Sequence, residues 1–304
     1  MLFSSLRRAG PLVAILAATS PVLADDVTIE TATGPVAVAA LPETLVVLDI
    51  GAIDTLDALG VTIAGVPTPL YVSYLDHVGA QATIVGSLFE PDFEALVNLN
   101  PDLIIAGGRS STQVEPLSEI AQTVDMTIWG DNHIDQVLAR LAAYGALTGN
   151  VEVAQELTDA FNAKLETARA AIDGKGAALI VLTNGPNVSA YGAGSRFGWL
   201  HGALNLPEAV EGVDAQTHGE AISFEFIAEA NPDWLLVVDR GAAIGADGES
   251  AAQTLNNALV TGTNAWQNDH VIYLHAANIY IAGGGIQSMN ATLDQLIAAF
   301  GDPS

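Results

Sequence analysis

"NPDLIIAGGRSS" (residues 100–111) and "NPDWLLVVDRGA" (231–242) share one plan: Asn-Pro-Asp, a short apolar run, then an Arg seven residues after the Asp. Pro lacks a backbone donor and disfavours helix in the residue before it, so each N-P-D marks a helix end. The apolar run after it reads as a strand buried on both faces. The match extends upstream, since an offset of 131 also places Phe93 on Phe224 and Glu94 on Glu225. The two halves are therefore read as related copies of one unit.

The same alternation runs outward from both stretches. "TLVVLDI" (44–50), "TIAGV" (62–66), "ATIVG" (82–86), "DLIIAGG" (102–108) and "MTIWG" (126–130) are the candidate strands of the first half. "AALIVLTNG" (177–185), "NVSAYG" (187–192), "DWLLVVDRG" (233–241) and "HVIYLH" (270–275) are those of the second. Short apolar runs separated by helical patterns predict an α/β fold of two Rossmann-like lobes with mainly parallel sheets. Between the halves, "NVEVAQELTDAFNAKLETARAAIDGKG" (150–176) has helical spacing, no Pro, and Gly174 and Gly176 as a stop. It predicts a single long connecting helix, and such a strut limits the lobes to a small hinge motion. The expected organisation is a signal peptide over 1–24, a first lobe over 25–149, the connecting helix over 150–174 and a second lobe over 175–304.

Nine Lys plus Arg face 35 Asp plus Glu, a net charge of -26. That balance repels nucleic acid and anionic lipid, so neither is expected as a partner. Residues 1–24 join Arg7 and Arg8 to an apolar run ending in Val22-Leu23-Ala24, the pattern of a secretory signal cleaved after Ala24. The chain has no Cys, which excludes disulfides, thiolate metal sites and a lipidated Cys. The expectation is a monomeric protein exported to a periplasm without a membrane anchor.

Seven basic residues lie beyond Ala24. Arg140, Lys164, Arg169 and Lys175 fall on or beside the strut and read as solvated helix faces. This leaves Arg109, Arg196 and Arg240, each in a Gly-containing loop: "AGGRSS", "YGAGSRFGW" and "VDRGAA". Ligands of open α/β sheets bind beyond the carboxyl ends of the strands, which places Arg109 and Arg240 at the crevice between the lobes. A guanidinium stays charged and offers planar donors to oxyanions, so three of them in so acidic a chain point to a polyanionic ligand. Surface salt bridges are the competing reading. Aromatic residues including Tyr71 and Trp199 are candidates to line the pocket.

Other motifs carry less. "GAGSRFG" (192–198) has G-x-G-x-x-x-G spacing rather than a dinucleotide fingerprint, and "AGGG" (282–285) lacks the Lys-Ser/Thr of a phosphate loop. The six His form no H-x-x-x-H pair, and no G-x-S-x-G elbow is present. An enzyme is not expected.

Together the leader, the strut, the N-P-D repeat, "GSRFGW" (194–199) and "IYIAGGGIQSM" (279–289) resemble the periplasmic ferric-siderophore-binding proteins of ABC importers, in particular the catecholate branch. The resemblance spans essentially the whole chain after residue 24. It implies a class III periplasmic binding protein with no intrinsic cofactor, which carries an Fe(III)-siderophore complex to an inner-membrane permease dimer. It further implies that Arg109, Arg196 and Arg240 hold anionic catecholate oxygens. His218 and Tyr280 would complete the iron shell where the siderophore leaves sites open, and Glu94 and Glu225 would dock the permease. On the residues alone, His218 and Tyr280 are equally packing or surface groups, while Glu94 and Glu225 are helix first-turn carboxylates. Haem or cobalamin on the same scaffold is the alternative cargo.

Overall fold

The computed structural model describes residues 26–130, 132–213 and 219–301. The leader read over 1–24 and the candidate ligand His218 lie outside the described residues. The chain opens with an antiparallel hairpin, β1 (Asp26–Thr31) and β2 (Gly34–Ala39), which the sequence reading does not contain. Next comes a parallel sheet built from β3 (Leu45–Val47), β4 (Gly65–Val66), β5 (Thr83–Ile84), β6 (Leu103–Ala106) and β7 (Gln122–Asp125) in the order β5-β4-β3-β6-β7. Helices α1 (Ile50–Ala58), α2 (Asp76–Gln81), α3 (Phe93–Leu99), α4 (Val114–Leu117) and α5 (His133–Thr148) complete this lobe.

The long helix α6 (Val151–Ile172) then leads to the second lobe. At 1.5 Å per residue it is about 33 Å long. It packs along α5 on one side and the last helix on the other, burying Phe161, Leu165, Ala168 and Ile172. The second sheet runs β10-β9-β8-β11-β12, from β8 (Ala178–Asn184), β9 (Asn187–Tyr191), β10 (Glu220–Ile222), β11 (Trp234–Asp239) and β12 (Val271–Tyr273). Its helices are α7 (Trp199–Gly202), α8 (Phe224–Ala230), α9 (Arg240–Ile244), α10 (Ala251–Leu255), α11 (Asn264–Gln267), α12 (Ala276–Tyr280) and α13 (Ile286–Gly301). Among the described residues, no helix is long and apolar enough to cross a membrane.

Two strand expectations change. β8, β11 and β12 are parallel, but β9 pairs antiparallel with β8 and β10 antiparallel with β9, so the second sheet is mixed. The cause is local: Gly185 and Pro186 are the whole link from β8 to β9, long enough for a hairpin and far too short for the crossover a parallel pair needs. "MTIWG" is not a strand either. Strand β7 ends at Asp125, and Met126–Gly130 continues as irregular chain toward the space between the lobes.

The N-P-D repeat has one structural job in both lobes. Asn100 and Asn231 are the left-handed caps that end α3 and α8, with φ of 51° and 39°, a conformation Asn tolerates better than most residues. The Asp of each motif fixes the neighbouring central strand. Asp102 Oδ2 accepts from the Glu43 and Thr44 N–H groups ahead of β3, and Asp233 Oδ2 accepts from the Ala177 N–H ahead of β8.

A second tie joins the two ends of the chain. Asp54 of α1 is fully buried, and its carboxylate accepts from the Gln287 and Ser288 N–H groups of α13 at 2.7 and 2.9 Å and from the Tyr74 hydroxyl. It caps the amino end of a helix it is not part of. A side chain at Gly285 would collide with the Asp54 carboxyl, so the glycine run permits this close approach. The carboxyl is raised to about 7, chiefly by burial, against the lowering hydrogen bonds of Tyr74, Gln287 and Ser288.

Candidate ligand-binding cleft

Where the two lobes face each other lies a cavity of about 530 Å³. Arg109 and Asp49 come to it from the first lobe, Arg196, Trp199 and Tyr280 from the second. Each side chain is placed by its local sequence. Arg109 sits in the 3₁₀ turn that leaves β6, and the buried Ser110 locks that turn: its hydroxyl donates to Leu48 O at 2.7 Å and accepts from Gly107 N–H at 3.0 Å. Arg196 sits in the tight "GSRFG" loop, anchored by the buried Phe197 ring against Tyr191 at 4.7 Å. A side chain at Gly198 would strike the Ala193 carbonyl, so the loop closes only with glycine there.

Both guanidiniums converge on one atom. Arg109 Nη2 donates to the Tyr280 carbonyl at 2.8 Å and Arg196 Nη2 donates to it at 2.9 Å. Tyr280 is the last residue of α12, so this oxygen is one of the carbonyls a helix leaves unsatisfied at its negative end. The guanidinium carbons also lie 5.0 and 4.6 Å from the centre of the Tyr280 ring. Arg240 reaches the same residue from behind, its Nε donating to the Tyr280 hydroxyl at 3.2 Å and its Nη1 to Asn184 Oδ1 at 3.3 Å. Arg240 does not line the cavity itself.

The charges shape the titration of these groups. Burial acts to raise the Tyr280 phenol, but the Arg240 hydrogen bond and the charges of Arg196, Arg240 and Arg109 outweigh it and leave the phenol below its ordinary value. Burial, then the Arg109 charge, push Arg196 down. Burial holds the Asp49 carboxyl above the usual range against the lowering influence of its hydrogen bond from Ala52 and of Arg109. Among the described residues, the ion pairs are His77–Asp57, Lys164–Asp294 and Arg169–Glu166, so none of the three arginines around Tyr280 has a carboxylate within ion-pair distance there. A guanidinium has five N–H donors, and Arg109 and Arg196 each give one to the Tyr280 carbonyl, which leaves the rest for a ligand.

The other predicted residues divide between the cleft and the surface. Trp199 lines the cavity and is buried. Tyr71 does not line it; its half-buried ring packs on the first-lobe core. Glu94 and Glu225 occupy the first turns of α3 and α8, on the outer surface of each lobe. Hydrogen bonds from its own backbone N–H and from the Ser223 side chain hold the Glu225 carboxyl below its ordinary value.

Sequence reasoning missed four contributors. Arg140 is not a solvated helix residue. It is 6% exposed and donates to the carbonyls of Met126, Glu30 and Thr127 at 3.2, 2.7 and 3.2 Å, fixing the Met126–Gly130 segment as cavity wall. Trp129 on that segment and Phe89 are 63% and 59% exposed and stand at the cavity mouth. His133 at the start of α5 also lines the cavity. The apolar "MTIWG" run was a signal for buried strand, and exposed Trp129 was the part of it that did not fit.

Two α/β lobes, a packed helical connector and an inter-lobe cleft define a two-lobed substrate-binding protein. The chain belongs to the periplasmic binding protein family, whose profile matches residues 45–277; this is a family of non-enzymatic substrate-binding components. It is 34% identical over 259 residues to the petrobactin-binding protein YclQ of Bacillus subtilis, covering 84% of this chain and 81% of that protein. The YclQ crystal structure superposes with a TM-score of 0.87, covering 92% of this chain and all of that one, at 30% identity. The ferric-anguibactin-binding protein FatB of Vibrio anguillarum is 30% identical over 281 residues, covering 90% of this chain and 87% of FatB. The periplasmic catecholate-siderophore-binding protein VctP of Vibrio cholerae superposes with a TM-score of 0.84 at 31% identity, covering 90% of this chain and 100% of that one.

Proposed function

We propose that this protein captures an Fe(III)-siderophore complex of the catecholate type in the inter-lobe cleft and delivers it to an inner-membrane ABC importer. The carrying observation is the set of guanidiniums around Tyr280 with no carboxylate partner among the described residues, in a chain of net charge -26. Leaving cations unneutralised amid so many carboxylates makes physical sense if an anionic ligand supplies the counter-charge. Relatives that bind petrobactin, ferric anguibactin and catecholate siderophores agree with that chemistry.

Each residue has a role in this reading. Arg109 and Arg196 hold anionic oxygens of the complex, and Trp199, with Trp129 and Phe89 at the mouth, gives it aromatic walls. Arg240 acts through the Tyr280 hydroxyl: a phenol already lowered by three arginines is a better oxygen donor to a hard Fe(III) ion with an open site. His218 is the partner ligand proposed for such a complex. Glu94 and Glu225, one outward on each lobe, are proposed to dock the two halves of a permease. The protein works in the periplasm as a monomer after removal of residues 1–24.

Quenching of intrinsic Trp fluorescence on titration with ferric tris-catecholate, a ferric tetradentate bis-catecholate, haemin and cobalamin tests the proposal. Submicromolar binding of the ferric catecholates alone is expected. A Soret shift with haemin, or saturation by cobalamin, with no response to either ferric complex would replace the reading with the alternative cargo.

A further inference from the structure

The first-lobe floor of the cleft carries two polar groups that no other described residue satisfies. Asp49 caps α1: its Oδ1 accepts from the Ala52 N–H at 2.8 Å, while its Oδ2 has no hydrogen-bond or ion-pair partner among the described residues. Tyr144, from α5, is 2% exposed, and its hydroxyl has no hydrogen-bond partner among them either. The unpaired side-chain atoms that are shut off from solvent belong, among the described residues, to His133 and Thr183, so solvent reaches both of these oxygens. It reaches them from the cleft. Asp49 and Tyr144 both line the inter-lobe cavity, and a side chain built on Gly108, itself a lining residue, would meet Asp49 Oδ2 at 3.3 Å. The Asp49 charge also acts on the Tyr144 phenol ahead of those of Arg140 and Asp125, which makes Asp49 its dominant charged neighbour. Burial and that charge hold the phenol above its ordinary value, so it keeps its proton and can donate it.

A carboxylate with a free oxygen works against a cleft built for an anion, since like charges brought together weaken binding. Capping α1 does not require that charge, because Asn, Ser or Thr caps a helix as well. The carboxylate makes sense where the cargo turns a hydrogen-bond donor toward it. Resting on the proposed ferric-siderophore function, we infer that Asp49 and Tyr144 form a subsite for an amide of the siderophore backbone: the amide N–H donates to Asp49 Oδ2, and the Tyr144 hydroxyl donates to the amide carbonyl. An ammonium group would satisfy Asp49 but has no oxygen to accept from Tyr144. The cargo is then two-ended, with its anionic oxygens on Arg109 and Arg196 and a neutral amide on Asp49 and Tyr144. The Arg109 charge is felt at Asp49, so the two contacts lie within the span of one small complex.

The test compares two ferric bis-catecholates of equal linker length. In one, the linking amides sit meta and para to the ring hydroxyls, so the N–H is not taken up by the ligand's own oxygens; in the other, an all-carbon chain replaces each amide. Asp49→Asn keeps a capping oxygen for the Ala52 N–H and puts an amide nitrogen where Oδ2 stood, and Tyr144→Phe removes the hydroxyl alone. In fluorescence titrations Asp49→Asn should bind the amide-linked complex about 10- to 100-fold more weakly, the range set by a hydrogen bond to a charged group. It should bind the all-carbon complex as tightly as wild type or more tightly, because a negative charge is gone. Tyr144→Phe should lose about 2- to 10-fold with the amide-linked complex and nothing with the other. Urea midpoints close to wild type are expected for Asp49→Asn, since Asn caps a helix as well as Asp. If Asp49→Asn binds the amide-linked complex as tightly as wild type or more tightly, the carboxylate meets no ligand donor and the inference fails while the functional reading stands. Failure of the wild type to bind either complex would overturn both.

Discussion

Arg109 and Arg240 occupy the same position in the two sequence repeats, yet they meet Tyr280 from opposite sides. Arg109 leaves β6 in a turn locked by Ser110 and crosses between lobes to a carbonyl 171 residues away in the chain. Arg240 opens α9, whose amino end is capped by Asp239, and stays within its own lobe to reach the Tyr280 hydroxyl. The first lobe makes the same kind of gesture again with Asp54. Arg109 supplies a cation at the carboxyl end of α12, and Asp54 supplies acceptors at the amino end of α13. Both complement a helix dipole of the later part of the chain. The sequence repeat thus places a basic residue at the same topological point twice, and the local turn or helix after each arginine decides whether it lines the cleft or supports a residue that does.

The largest expected consequence of this asymmetry is in binding. Arg109→Ala should weaken ferric catecholate binding about 10- to 100-fold, as for loss of a charged hydrogen bond, and Arg240→Ala only a few-fold, because it acts through Tyr280. Calorimetric titration of the two variants side by side checks this, and equal losses would erase the distinction. Next in size is stability. Asp102→Ala should cost about 2 kcal/mol and Asp233→Ala about 1 kcal/mol in urea unfolding, since Asp102 accepts from two backbone N–H groups and Asp233 from one. Neither should alter affinity while the protein is folded.

The Asp54 tie makes a smaller, pH-dependent prediction. Its folded value, about 7, lies above the ordinary carboxylate value, so the native state binds a proton that the unfolded chain has already released. The stability this contributes is complete below about pH 4 and is lost as pH rises through 7. Between about pH 5 and 6 the slope should approach 1 kcal/mol per pH unit, read from urea midpoints, and Asp54→Asn should flatten it. The smallest effect is on Tyr280 itself: Arg240→Ala should raise the phenol relative to wild type, seen as a shift in the tyrosinate absorbance titration that Tyr280→Phe removes.

Much of this was readable in the sequence because it rests on short-range rules. N-P-D announced helix ends and buried strands, Pro-free periodicity announced α6, and the scarcity of basic residues singled out Arg109, Arg196 and Arg240. The features that escaped depend on three-dimensional neighbours. Arg140 looks like an ordinary helix residue until the Met126–Gly130 segment folds over it, and Tyr71 looks like a pocket aromatic until its loop turns it onto the core. The antiparallel β8–β9 pair was written in "NGPN", whose brevity rules out a crossover. His133 shows nothing in sequence that separates it from the other histidines; only the lobe opposite, which brings Trp199 against it, does.

The central claim is that a bound anion supplies the counter-charge of the cleft arginines. Its most direct test is fluorescence titration of wild type and the Arg109→Ala/Arg196→Ala double variant with ferric tris-catecholate at low and high salt. The account predicts submicromolar, salt-weakened binding by the wild type and a loss of at least about 100-fold in the double variant, with the fold intact by circular dichroism. Undiminished binding by the double variant would contradict it.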